Sequence, residues 1–295
     1  MWFKNLQIYR ITDWKITPAQ LEEALSAHAL QNCSSMDMQS RGWVSPKDEG
    51  EPFVHTLNQQ MLIALGVEKK LLPSTVINQY TKARAAEMEE QQGYRPGRKQ
   101  MKELKEAVTD ELLPRAFALR SKTYAWIDPA GGWFVIDTSN AAKADELLEV
   151  LHKSAEAFAL KLVRTRLSPT SAMTSWLAGT DVPPAFTIDR DCELRATGDE
   201  KATVRYVRHA LDADEIRKHI EAGKEATKLA MTWGDKVSFV LHENMQLKRI
   251  APLDILKEQG EAAEDMFDSD FAIMTGELAY LIPDVLNALG GEDIT

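Results

Sequence analysis

The order in which strand-like and helix-like stretches follow one another constrains this chain most. Trp2 to Ile11 alternates imperfectly and predicts a strand, and Pro18 opens a helix to about Gln31, with Thr17 as its cap and Leu21, Ala24, Leu25 and His28 at helical spacing. Short strand patterns at 40–45, 52–57 and 60–66 come next. A helix from Pro73-Ser74 carries Val76, Ile77, Tyr80, Ala83 and Met88 and stops at Gly93 and Pro96; a second runs from about Gly97 to Leu112 and meets Pro114. Strands at 122–128 and 132–138 flank Asp128-Pro129-Ala130-Gly131, a hairpin turn, and a helix at 140–157 shows Leu147, Leu148 and Leu151 on one side. The Ser-, Thr- and Pro-rich stretch 165–185, with a short helical segment near Trp176, reads as a linker. Strands at 186–195 and 202–208, a helix capped by Asp212 and ending near Gly223, and a meander at 226–232, 236–242 and 246–251 complete the body. The last helix, from about Ala263, aligns Phe267, Phe271, Met274, Leu278, Leu281, Val285 and Leu289, with Pro283 expected to kink or split it. Runs of strands are mixed with helices without a regular βαβ alternation, so the fold class is α+β.

Charge is segregated. The 295 residues sum to −10, yet residues 254–295 alone hold eleven acidic side chains against Lys257, which accounts for the whole excess. Residues 68–122 carry twelve Lys and Arg against eight acids, so a basic face can exist on an acidic protein. No run approaches the roughly 18 apolar residues of a membrane span, and Lys4 with no apolar run behind it argues against a secretory leader. Cys33 and Cys192 form no CxxC and read as buried thiols of a reducing compartment.

Familiar catalytic patterns are missing: there is no GxGxxG, GxSxG or HExxH. Gly223-Lys224 fails as a phosphate loop because Lys218 and Glu225 stand where Gly and Ser or Thr are needed. The six histidines show no metal-ligand spacing. One carboxylate group has two readings. Asp189, Asp191 and Glu193, with Lys201 nearby, fall on one face of a strand and suit a Mg²⁺-dependent nuclease. The opposite face, Phe186, Ile188, Arg190, Cys192 and Leu194, is largely apolar, and a half-buried strand with a solvated acidic side explains the same alternation and is preferred.

The stronger feature is a cationic stripe. Arg95, Arg98, Lys102 and Lys105 recur at helical spacing beside Met101, Leu104, Val108 and Leu112, and Arg115, Arg120 and Lys122 continue the charge past Pro114. Point charges along a rigid helix suit a duplex, which presents one negative charge per roughly 1.7 Å, without base reading. The competing reading is a solvated helix with the pairs Lys99–Glu103 and Lys102–Glu106, whose Lys-before-Glu orientation is the weaker one. Spacing alone leans slightly to the second.

Six segments in register carry a resemblance. Met1-Trp2-Phe3-Lys4-Asn5-Leu6, Leu72-Pro73-Ser74, Leu113-Pro114-Arg115-Ala116-Phe117, Trp126-Ile127-Asp128, His219-Ile220-Glu221-Ala222-Gly223-Lys224 and Met274-Thr275-Gly276-Glu277-Leu278 together resemble the recombination-associated protein RdgC family over essentially the whole chain. The resemblance implies a cytoplasmic, nucleoid-associated, non-enzymatic protein without cofactor or metal. It would bind double-stranded DNA without sequence preference, encircle it as a homodimeric ring and restrain RecA-mediated recombination. It further implies a horseshoe-shaped protomer: a central domain from 1–72, 120–160 and 226–295, a helical gate at 73–119 and a tip at 161–225. Phe117 would be an apolar plug in the partner protomer, and Arg208, His209 and Lys224 would join Arg95, Arg98, Lys102, Lys105, Arg115 and Arg120 on the DNA-facing surface. Two other functions compete: the Mg²⁺-dependent nuclease, and an interaction adaptor whose acidic C-terminal region engages a basic partner.

Overall fold

Trp133-Phe134-Val135-Ile136 sends large apolar side chains to both sides of one strand, and the sheet around it is buried on both sides as a result. The computed structural model describes residues 1–211, 214–256 and 265–293. In chain order the first elements are β1 (Asn5–Trp14), α1 (Pro18–Ser26), β2 (Gln39–Val44), β3 (His55–Leu57), β4 (Gln60–Lys70), α2 (Ser74–Gln92) and α3 (Arg98–Leu112). A 3-10 turn (Leu113–Arg115) leads to β5 (Ala118–Asp128), β6 (Trp133–Asp137), α4 (Ala141–Ser154), β7 (Phe158–Leu162) and α5 (Pro169–Leu177). Then come β8 (Phe186–Ala196), β9 (Thr203–Tyr206), α6 (Asp214–Glu221), β10 (Lys224–Trp233), β11 (Val237–His242), β12 (Leu247–Pro252) and α7 (Met266–Ala288).

The described strands form one 12-stranded sheet in the order β2-β4-β5-β6-β1-β12-β11-β10-β8-β9, with β3 on β4 and β7 on β1. Every pairing between them is antiparallel, which bears out the α+β expectation. Period-2 alternation sorts the side chains into two cores. Leu6, Ile8, Leu62, Trp126, Trp133 and Val135 pack on the α7 side, with Phe271, Met274, Leu278, Leu281, Ile282 and Val285. Tyr9, Met61, Ile63, Ile127, Phe134 and Ile136 pack on the other side, under Leu21 and Leu25 of α1 and Leu147 and Leu151 of α4.

Local signals behave as their chemistry demands. Thr17 and Gln20 form a reciprocal capping box at the start of α1, the Thr17 Oγ1 accepting the Gln20 N–H at 3.3 Å and the Gln20 Oε1 accepting the Thr17 N–H at 3.0 Å. Gly93 ends α2 at φ 78°, a conformation that costs glycine little. Three expectations are corrected. The stretch 165–185 is no linker, because α5 buries Ala172, Met173, Trp176 and Leu177 in the main core. Pro283 does not split α7, whose turns on either side are fixed by the buried Leu281, Ile282, Val285 and Leu286. Cys33 is half-buried rather than buried, unlike Cys192. Asp212 as a cap and Ala263 as a helix start lie outside the described residues.

A candidate nucleic-acid interface

β4 and β5 run on together, with β2 along the other edge of β4, to the pairs Lys69↔Leu119 and Lys70↔Ala118, and α2 and α3 form a helical hairpin joining the ends of β4 and β5. The seam of that hairpin is thin: Ile77 and Thr81 are the buried residues of α2 and Val108 that of α3. Nearly all its charges therefore face water. Arg98, Lys102 and Lys105 are exposed on α3 at i, i+4 and i+7, whereas Arg95 belongs to the interhelical turn, outside the helical register, with its Nε 3.3 Å from Glu89. Lys102 and Lys99 lie 3.7 and 4.0 Å from Glu106 and Glu103, exposed pairs of small energetic weight that leave the cations free to rearrange.

Beyond Pro114 the stripe is not continuous. Arg115 is exposed, but Arg120 donates to Glu68 at 2.7 Å and to Asn32 at 2.5 Å, and Lys122 donates to the Ser45 and Lys47 carbonyls at 2.7 and 3.2 Å. The Arg120 guanidinium holds the Glu68 carboxyl below its usual range, so this arginine serves the fold first. Phe117 is 83% exposed, although its carbonyl accepts the Leu71 N–H at 2.7 Å. A core position packing Leu113 and Leu119 is thereby excluded; Leu71, Leu119 and Met38 are exposed as well. Arg208 sits at φ 53° with its N–H donated to Asp191 at 2.7 Å and its side chain exposed. His209 is engaged locally, Nε2 lying 3.1 Å from Glu215, and the Lys224 amine is 3.3 Å from the His219 ring.

The acidic strand is organised differently from either sequence reading. Ile188 pairs with Met231 and Cys192 with Leu229, four residues of β8 against two of β10, so a bulge interrupts the alternation. Cys192, Glu193 and Leu194 are then buried in succession. Asp189 bonds Thr232 at 3.1 Å, Asp191 accepts from Arg208, and Glu193 is held by Arg205, Lys228 and Thr227 at 2.5, 2.8 and 2.8 Å. The expected solvated acidic side is corrected, because a buried carboxylate requires partners and Glu193 has three. Lys201 lies outside the strand, at φ 46°.

Those partners disclose a cationic surface that reading the chain linearly missed. On β8 to β12, the α7-side face is apolar (Leu194, Leu229, Leu241, Leu247), while the other carries Lys228, Thr232, Ser238, Val240, His242 and Lys248, partly exposed, with Arg205 and Arg249 exposed. Register aligns Arg205, Glu193, Lys228 and His242 on four adjacent strands in one row across the sheet. Val240 pairs with Lys248, but Ser238 pairs with Ala251, and the extra residue on β12 is Arg249, at φ 54°. This bulge brings Lys248 and Arg249 to the same recess of about 450 Å³. Burial pushes the Glu193 carboxyl up, yet Lys228, Thr227 and Arg205 overcome it and hold it at about 2. Burial and then the charges of Lys248 and Lys228 push His242 down to about 4. The one visible signal was lysine or histidine alternating with leucine at 228–229, 241–242 and 247–248; that these meet needs the strand register.

Comparison with known proteins decides the family. A family model described as "Putative exonuclease, RdgC" matches residues 1–292. The chain belongs to the RdgC family. The recombination-associated protein RdgC of Janthinobacterium sp. (strain Marseille) is 56% identical over 297 residues, covering 99% of both chains, and that of Herminiimonas arsenicoxydans matches to the same extent. The RdgC of Dechloromonas aromatica (strain RCB) is 54% identical over 300 residues, covering 99% of this chain and 98% of its own. In this RdgC-family chain no three His, Cys, Asp or Glu side chains among the described residues are grouped as a metal site would need, and no helix among them is long and apolar enough to cross a membrane.

Proposed function

We propose that this protein binds double-stranded DNA without sequence preference, encircles it as a homodimer, and thereby restrains RecA-mediated recombination. The observation that carries the reading is the segregation of charge. A protein of net charge −10 presents Arg205, Lys228, Lys248 and Arg249 together on one uncovered sheet face and Arg98, Lys102 and Lys105 on a projecting helix. Both sets are clusters of cations, which suit phosphates. An enclosing assembly needs few strong contacts, so modest basic surfaces suffice. The relatives' description as recombination-associated supports the cellular role.

The α2–α3 hairpin would be the gate and Phe117 the plug in the partner protomer. An 83% exposed phenylalanine beside exposed Leu71 and Leu119 is a costly surface unless another chain covers it. Of the basic residues, the exposed Arg98, Lys102, Lys105, Arg115 and Arg208 would contact phosphates, and Arg95 would do so from the interhelical turn. Arg120, His209 and Lys224 would act mainly by holding neighbours. The nuclease reading is less well supported, because Asp189, Asp191 and Glu193 each serve a different protein partner.

The test loads the protein on linear and on relaxed closed-circular duplex, then challenges both with competitor DNA and high salt. Retention on the circle alone supports encirclement. Equal loss from both refutes the ring, and nicked product in the presence of Mg²⁺ restores the nuclease.

A further inference from the structure

We propose that the recess beside His242 is a binding site for one phosphate group, supplied by the backbone of a bound duplex. The phosphate chemistry follows from the recess itself, and the duplex as its source rests on the DNA-binding reading above. The recess is built rather than incidental. Glu193 fixes Arg205 and Lys228 at 2.5 and 2.8 Å, and with Asp191 it sets two negative charges in the lining against the four positive charges of Arg205, Lys228, Lys248 and Arg249. Lys248 and Arg249 have no carboxylate partner among the described residues and point their charge at the same volume. Arg249 is brought there by a positive φ of 54° at a bulge, a backbone conformation that a non-glycine residue adopts at a cost and that is enriched at functional positions. A cluster with this excess of positive charge favours an anion; a volume of about 450 Å³, in which Arg205, Lys228, Lys248 and Arg249 outnumber Asp191 and Glu193, admits a phosphate with its sugar.

The imidazole of His242 gives the site a measurable property. The titratable and charged groups facing it are Asp191, Cys192, Glu193, Arg205, Tyr206, Lys228, Lys248 and Arg249. Glu193 is held at about 2, Cys192 is pushed up to about 12 by burial, and the Tyr206 phenol is raised by burial, so these stay in one state near neutrality. Burial, and then the charges of Lys248 and Lys228 on the strands flanking β11, hold the imidazole down at about 4 and keep it neutral. A phosphate entering the recess cancels part of their field and favours the imidazolium. By linkage, phosphate binding then takes up a proton, and affinity rises as pH falls.

The experiment follows the six histidine imidazoles of the full chain by NMR across the pH range about 3 to about 8, which brackets the His242 value of about 4, with His242→Gln used to assign the resonance. Spectra are recorded alone, with inorganic phosphate, and with a short blunt duplex whose binding is followed in parallel by fluorescence anisotropy. The expected result is a rise in the His242 midpoint on adding duplex and a smaller rise with inorganic phosphate. Lys248→Gln should lower the salt slope of duplex binding by about one unit. A duplex that binds while the His242 midpoint stays fixed overturns the site and leaves the DNA reading intact. No duplex binding, with a midpoint raised by inorganic phosphate, overturns the duplex as source and the DNA reading with it. A midpoint that nothing moves, without duplex binding, overturns both.

Discussion

Replacing Phe117 by alanine separates assembly from folding, because the structure sets the two energies far apart. At 83% exposure the side chain keeps about 35 Å² buried within the protomer, taking a phenylalanine's surface as roughly 200 Å². At ~25 cal/mol per Å² that is worth under about 1 kcal/mol of folding stability. A chain of this size should then lose no more than about 4 °C in Tm. Covering the remaining surface in a partner is worth at most about 4 kcal/mol per phenyl group, and a two-fold interface uses the residue twice. Phe117→Ala should therefore melt close to wild type, shift towards monomer on dilution in light scattering, and bind linear duplex while losing closed circles faster. A Tm lowered by about 8 °C or more, the scale of a core Phe→Ala change, with wild-type mass and retention would refute the argument.

Replacing Arg98 and Lys102 together by alanine should flatten the slope of log affinity against log salt by up to about two units, measured by anisotropy; an unchanged slope removes α3 from the DNA-facing surface. Arg120→Ala, by contrast, should lower Tm through the loss of its bond to Glu68 and leave that slope unchanged. Glu193 is held at about 2, below its unfolded value, so its stabilising effect is complete above the unfolded value near 4.5 and disappears as pH falls through about 2. Acid denaturation of Glu193→Gln should accordingly show a shallower dependence on pH across that interval, and an identical profile would dismiss the carboxylate's role. Duplex binding should survive EDTA, and Asp189→Ala should bind as wild type does; loss in either assay would reopen a metal-dependent site.

Much of the fold follows from local chemistry that a sequence displays directly. The capping box at Thr17, the stop at Gly93, the turn at Asp128 to Gly131 and the two-sided apolar run Trp133 to Ile136 act over a few residues, so type and place of those elements could be read. The exposed cations of α3 were legible for the same reason, helical spacing being a local property. What escaped was whatever depends on residues far apart. Ser-, Thr- and Pro-rich composition suggested a linker at 165–185, but burial of Met173 and Trp176 against β10 and α7 decides otherwise. Alternation made Asp189, Asp191 and Glu193 one acidic face, whereas a bulge set by pairing with β10 gives each its own partner. The row Arg205, Glu193, Lys228, His242 spans four strands, and Arg249 joins it through a bulge on a fifth. Register is a property of pairs, fixed by which apolar faces the whole sheet buries, and only the tertiary structure could place those charges together.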